Sequence, residues 1–394
     1  MPRAALPNGE SAPAPRYSQA ERNPTAGTLD VKVNETGRTP PRRPKRRGQG
    51  RRGRRRRRFA PVLAAIDVGT NSCRLLIAVP ENGQPRIVDA FSANVRLGEG
   101  IAKSGAIAPA AMDRTIAALK TCAARIKNKR VTHVRAIATE ACRRASNSAE
   151  LIARARDEAG IALAIVTPEQ EAHLAAESCA PLIGAEHEGA LVVDIGGGST
   201  ELVWIRPGAG DGAPPEVAAW TSLPIGVVTL AERHGGAHLP GAVYATMAEE
   251  AAEILARSRG PMPDAHAFDM ERNHLLGTSG TTTTLAAISI GLARYERRRV
   301  DGAWLDRTAL EAIMRRVVPL DFAGRAAIPC IGDDRADLIV PGCAILAAVI
   351  AQWPCRQMRV ADRGLREGLL IGLMREAAAE AAQGVAPHKH ERVP

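Results

Sequence analysis

The sequence predicts an α/β protein of two similar lobes with a phosphate-binding cleft between them. Two observations carry that prediction. A glycine-containing turn after an apolar strand occurs twice, starting at Asp67 and at Asp194, with the same residue types in the same order. A third glycine-rich turn, from Gly277, leads out of a short strand into a helix.

Residues 1–58 are rich in Pro, Gly, Ser, Asn and Arg and have no apolar periodicity, so they cannot bury enough surface to fold alone. They carry 17 Lys and Arg against 4 Asp and Glu. The chain as a whole stands at +11, so all the excess positive charge lies in this stretch. The remainder is close to neutral and gives no footprint for nucleic acid. The stretch is expected to be a disordered basic arm that suits a polyanion, polyphosphate or RNA. A solubilising tail is the plain alternative. No aromatic residue interrupts the arginine run Arg42–Arg58, so base stacking is not indicated.

The ordered part is expected from Phe59. Val62 to Asp67 is a continuous apolar run ending in a glycine turn, which reads as a buried strand. Cys73 to Val79 reads as its hairpin partner and Arg86 to Leu97 as a third strand. Pro109 to Ile126 has helical spacing, with Pro in the first turn. Val131 to Thr139 alternates as a strand, and Pro168 to Cys179 is a helix. The pattern then restarts with a strand at Ala190–Asp194 and its partner at Thr200–Ile205. Pro207 to Pro215 is a Gly- and Pro-rich loop. Helices are expected at about 243–258, 281–290, 308–317, 334–351 and 364–380. Leu275–Gly277 and Gln357–Ala361 read as short strands. The lobes are expected at 59–173 and 174–384, followed by a flexible tail at 385–394. Aromatic residues make up only 3%, so Ala, Val, Leu and Ile must build the core.

The seven cysteines include no C-x-x-C pair, and their number is odd. A disulfide framework or zinc site is therefore not expected, which fits a reducing, cytoplasmic setting. Charges fall early in the N-terminus and no apolar stretch follows, so no signal peptide is expected. The best membrane candidate, Leu338–Trp353, is too short and contains Pro341 and Gly342, so a buried helix is expected there.

The chemistry lies in the turns. The first reads Asp67-Val-Gly69-Thr70-Asn71-Ser72-Cys73-Arg74-Leu75 and the second Asp194-Ile-Gly196-Gly197-Gly198-Ser199-Thr200-Glu201-Leu202. Glycine lets backbone N–H groups approach an anion, and Ser and Thr hydroxyls add donors. A strand-end Asp beside phosphates can hold Mg²⁺ directly or through water. Asp67 and Asp194 are the candidate metal ligands, with Glu201 assisting. Gly69, Thr70, Asn71, Ser72 and Arg74 are phosphate candidates in the first turn. Gly196, Gly197, Gly198, Ser199 and Thr200 are their counterparts in the second. In the third motif the candidates are Gly277, Ser279, Gly280 and Thr281, at a helix N-terminus that favours an anion. Ordinary hairpin turns with a capping Asp are the bland alternative.

These motifs resemble the exopolyphosphatase/guanosine pentaphosphate phosphohydrolase family, within the actin-like and sugar-kinase-like ATPase superfamily. The resemblance spans about residues 62–375. It rests on Asp67–Leu75, Asp194–Leu202, Ala138-Thr-Glu-Ala-Cys-Arg143, Arg335-Ala-Asp337 and Gly364-Leu-Arg366-Glu367-Gly368. It implies two duplicated ribonuclease H-like lobes. The implied activity removes terminal phosphate from polyphosphate, or the 5′ γ-phosphate from guanosine pentaphosphate. The family's E-x-E-A-R-L pattern reads here Glu169-Gln170-Glu171-Ala172-His173-Leu174, which makes Glu171 the matching water-activating base. His173 stands where the family has Arg. Glu169 is the rival carboxylate, though it suits the helix start. Arg143 is expected to take phosphate oxygens bidentately. The resemblance is to the short two-lobed form, and it implies a homodimer.

Two further readings stand beside the hydrolase. A small-molecule kinase of the same superfamily would need a substrate-binding insertion, and residues 60–175 leave little room for one. A non-catalytic sensor of polyphosphate or alarmone would not need Glu171.

Overall fold

The run Leu63–Val68 has no polar side chain before Asp67, so it needs a partner strand on each edge and a cover on each face. In the computed structural model it has both. The described residues are 60–383, apart from 211–212, 236–240, 259, 264–267 and 270. The expected basic arm and C-terminal tail lie outside them.

The first lobe contains β1 (Leu63–Val68), β2 (Ser72–Glu81), β3 (Gln84–Asn94), α1 (Ile101–Ser104), α2 (Pro109–Asn128), β4 (His133–Ala138), α3 (Glu140–Arg144), α4 (Ser148–Ala159) and β5 (Leu163–Ile165). Then α5 (Pro168–Cys179) leads to the second lobe. That lobe contains β6 (Gly189–Ile195), β7 (Thr200–Arg206), β8 (Glu216–Leu223), α6 (Val227–Arg233), α7 (Tyr244–Ser258), β9 (Asn273–Thr278), α8 (Ser279–Ser289), α9 (Arg297–Val300), β10 (Trp304–Asp306), α10 (Arg307–Val317), α11 (Phe322–Ala326), α12 (Ile339–Gln352) and β11 (Gln357–Val360). The helix α13 (Leu365–Gln383) closes the described chain.

The first sheet has the order β3-β2-β1-β4-β5, and the second β10-β11-β9-β6-β7-β8. Without its edge strand β10, the second sheet repeats the first. In each, the leading strand pairs antiparallel with its hairpin partner and parallel with the strand after the crossover. The duplication expected from the two turns therefore extends to whole lobes, as a two-lobed actin-like α/β fold.

Each sheet is covered on one face by its own helices. The other faces are covered crosswise. The apolar face of α13 (Leu369, Leu370, Leu373 and Ala377) packs on Leu63, Ala65, Leu76, Ala78 and Ile137 of the first sheet. Residues Ala172, Ala175, Ala176 and Cys179 of α5 pack on Ala190, Val192, Val203 and Ile205 of the second. The sequence-based division placed α13 in the second lobe; its apolar stripe is that of any covering helix and does not say which sheet it meets. The two helices touch where Gly368 meets Leu174. A Cβ on Gly368 would lie 2.3 Å from the Leu174 carbonyl oxygen, so only glycine permits this approach.

The helix expected from about 334 begins at Ile339 and is buried for most of its length. Among the described residues no helix is long and apolar enough to cross a membrane. All seven cysteines are free.

Candidate active site

Both hairpin turns close in the same way. Gly69 N donates to Ser72 O and Gly196 N to Ser199 O, each at 2.9 Å. Pairing in the strands then sets Arg74 opposite Asp67 and Glu201 opposite Asp194. Equivalent positions thus carry opposite charge in the two lobes.

The turns face each other across a cleft of about 340 Å³. Its lining includes Asp67, Gly69, Thr70, Asn71, Ser72, Arg74, Glu171, Asp194, Gly196, Gly197, Gly198, Ser199, Glu201, Ser279, Gly280 and Thr281. All of these were candidates in the sequence. The glycines have a second purpose there. A Cβ on Gly197 would come within 2.9 Å of Thr70 Cβ, and one on Gly198 within 2.8 Å of both Thr70 Oγ1 and Glu140 Cγ. The second turn therefore presses directly on the first lobe. Gly198→Ala is expected to hold the lobes apart and lower turnover by about 10- to 100-fold, because small displacements of reacting groups cost rates of that order. Steady-state assays with an unfolding curve would check this; full activity would show that the close approach is dispensable.

Three candidates stand elsewhere. Thr200 is fully buried, and its hydroxyl donates to Ile225 O at 2.7 Å. Gly277 packs under Met358 and Thr282, whose atoms a Cβ would meet at 2.7 Å. Neither lines the cleft: the Thr200 side chain turns to the Ile225 carbonyl, and Gly277 faces the neighbouring layer. Arg143 also lies behind the wall. Its Nη1 donates to Val166 O at 2.7 Å and to Glu171 Oε1, and its Nη2 to Glu140 Oε2 at 2.9 Å. The guanidinium expected on phosphate is instead bound to the candidate base.

Glu171 is 5% exposed on the first turn of α5. A capping box of Thr167 and Gln170 fixes the start of that helix. With Oε1 on Arg143, Oε2 has no hydrogen bond among the described residues. Burial pushes the Glu171 carboxyl up to about 9; Glu201 and Asp67 push the same way, and Arg143 opposes them. Glu169 is exposed at the helix start, and His173 is exposed too.

Asp194 is pushed up to about 7 by burial and by the charges of Glu201 and Asp67, with Arg74 opposing. Burial raises Asp67 and Glu201 as well. Glu201 Oε1 accepts from the hydroxyls of Ser199 and Ser222, at 2.7 and 2.9 Å. Asp67 Oδ1 is buried without a hydrogen-bond partner. An orphaned carboxylate oxygen among acids that resist ionisation fits a bound cation. Among the described residues no group of three His, Cys, Asp or Glu forms a cage. Asp67 and Asp194 are the residues that could hold a divalent cation, with water and phosphate oxygens completing its shell.

The third motif contributes the N-terminus of α8. Its cap residue Thr278 makes no side-chain cap; the hydroxyl donates to Arg363 O instead. Ser279 has φ 75°, a left-handed backbone rare for a residue with a side chain. Its hydroxyl donates to Ile195 O at 2.6 Å, tying the motif to the end of β6.

The sequence reading assigned no role to Glu140, Tyr295, Arg335, Asp362 or Arg366, which also line the cleft. Arg74 and Arg366 make no hydrogen bond or ion pair among the described residues. Motif resemblance at Ala138–Arg143, Arg335–Asp337 and Gly364–Gly368 was the available signal for three of these five. Tyr295 and Asp362 fall in no motif, and their placement depends on long-range packing.

Comparison with known proteins agrees with this geometry. The chain matches the Ppx/GppA phosphatase family over residues 76–377, which takes in the second and third turns and Glu171. It is similar to the Aquifex aeolicus PPX-GPPA enzyme, with 29% identity, a TM-score of 0.65, and 80% of this chain and 100% of that one covered. An exopolyphosphatase from Cytophaga hutchinsonii aligns at 26% identity and TM-score 0.69, covering 83% of this chain and 100% of that one. An exopolyphosphatase-like protein aligns at 26% identity and TM-score 0.72, covering 81% and 99%. With most of its folded length matched, and with paired turns and an acid-lined cleft in place, this chain belongs to the Ppx/GppA phosphatase family.

Proposed function

We propose that the protein hydrolyses the terminal phosphoanhydride bond of a phosphate chain, releasing orthophosphate from inorganic polyphosphate or taking the 5′ γ-phosphate from guanosine pentaphosphate. The observation that carries this reading is Glu171, a buried carboxylate at the junction of the lobes with one oxygen held by Arg143 and the other free. The solved structures that this chain resembles include exopolyphosphatases, which supports the same substrate class.

The steps follow from the residues. The two turns and the N-terminus of α8 receive the phosphate oxygens through backbone N–H groups and hydroxyls. Arg74 and Arg366 balance the chain's negative charge. Water attacks the terminal phosphorus and gives its proton to Oε2 of ionised Glu171, the form that Arg143 favours and that a cation on Asp67 and Asp194 would favour further. The bond from that phosphorus to the bridging oxygen breaks, and the bridging oxygen leaves with the shortened chain. Mg²⁺ held by Asp67 and Asp194 would neutralise phosphate charge.

Inorganic polyphosphate is the favoured substrate. Tyr295 is the only aromatic residue lining the cleft among those described, and Arg335 lies over its ring at 5.9 Å. A guanine would have to displace that guanidinium in order to stack.

The test is phosphate release with Mg²⁺ from long-chain polyphosphate and from guanosine pentaphosphate, at matched concentration. Release from polyphosphate is expected to be the faster. Release from neither would overturn the reading. Removing residues 1–58 is expected to raise KM for long chains and flatten its salt dependence, with turnover of short chains unchanged. An unaltered salt slope would leave the arm as a solubilising tail.

A further inference from the structure

The guanidinium that holds the base is itself held. Arg143 is planar and its nitrogens are engaged on two sides, toward Glu171 and Val166 on one and toward Glu140 on the other. A guanidinium bound at both ends of its fork has a fixed plane, whereas one bound at a single end can swing. Glu140 is the first residue of α3, one turn ahead of Arg143, and its side chain lines the cleft. Its stem lies against Gly198, where a Cβ would come within 2.8 Å of Glu140 Cγ. Glu140 therefore touches the second lobe's phosphate turn with its stem and the base's partner with its carboxylate. Arg144 Nε stands farther off, at 4.0 Å from Glu140 Oε1.

We propose that Glu140 is a positioning residue that couples the second lobe's turn to Glu171 through Arg143. When Gly198 abuts it, the Glu140 carboxylate is held where it fixes Arg143, and Arg143 then fixes Glu171 with Oε2 toward the cleft. When the lobes separate, that support is lost and the guanidinium is free to turn toward bound phosphate, leaving the base loose. Water activation is thereby confined to the closed form. The proposal rests on Glu171 as the base but adds a residue that need not touch the reacting atoms.

The experiment is a double-mutant cycle with two readouts. Glu140→Gln keeps the stem on Gly198 and removes the charge. It is expected to lower kcat about tenfold and leave KM within about twofold, and Glu140→Asp should recover part of the loss. In an Arg143→Lys background, Glu140→Gln should change kcat by less than about twofold, because coupled residues are not additive. The second readout needs no turnover. Labelling of Arg143 by phenylglyoxal, followed on the peptide by mass spectrometry, should quicken several-fold in Glu140→Gln. Multiplying kcat effects, a rise in KM equal to the fall in kcat, or unchanged labelling would each overturn the proposal. A wild type that releases no orthophosphate, while labelling quickens as expected, would instead sink the phosphohydrolase reading and leave the Glu140–Arg143 hold standing.

Discussion

Replacing Glu171 by Gln is expected to lower kcat by about 10²–10⁴-fold, the range general base catalysis contributes, with KM changed only a few-fold. The amide keeps the shape of the side chain and cannot accept the water's proton. The phosphate grips are separate groups, so binding should persist. Stability separates this outcome from misfolding. The Glu171 carboxyl sits well above the usual carboxylate range in the folded protein, so its charged form opposes folding at neutral pH. The variant should therefore melt at the same temperature as the wild type or higher. Undiminished turnover would remove Glu171 as the base. Lost turnover with a lower melting temperature would point to a structural role instead.

The second large effect is on stability against pH. Asp194 is raised from 3.8 to about 7, and Asp67, Glu171 and Glu201 shift in the same direction. Raised carboxyls bind more protons folded than unfolded, so their contribution to stability is fully present below pH 4 and is lost as pH rises through the folded values. For Asp194 alone the loss is on the order of 4 kcal/mol as an upper limit, since water in the cleft screens the charge. His274, lowered from 6.5 to about 4 by burial, acts in the opposite sense in part of this window. With Asp337, also raised by burial, five acids against one histidine leave a net fall between about pH 5 and pH 8. On the proposed reading Mg²⁺ would bind the ionised acids, so it should raise the melting temperature more at pH 8 than at pH 5.5. Thermal unfolding at both pH values, with and without Mg²⁺, reads this directly. An equal Mg²⁺ shift at both would count against the cleft acids as its ligands.

Much of the fold was legible because its signals are local. Strand-end Asp67 and Asp194, each followed by a glycine turn, marked the leading strand of both sheets. The sequence placed α5 at Pro168–Cys179, and its cap and proline put it there in the structure. The elements it missed have weak local patterns. In α4 only Leu151 and Ala155 are buried, too few to show a helical stripe. Strand β8, EVAAWTSL, has little alternation and follows a Gly- and Pro-rich loop. In the site, the turns were readable from their repeated spacing, and Glu171 was singled out only through the family pattern it resembles. That Arg143 faces the base rather than the cleft was not readable, because it depends on how α3 lies against α5.

The crosswise cover has a consequence for how the chain is made. A ribosome delivers the first lobe's strands long before α13, the helix that seals one face of their sheet. Until that helix emerges, Leu63, Ala65, Leu76 and Ala78 lack most of their cover. The first lobe cannot finish folding when its own residues are complete; it waits for the last helix of the described chain. Assembly should therefore be late and all-or-none, and a partly made chain would present an apolar sheet face for chaperones to shield.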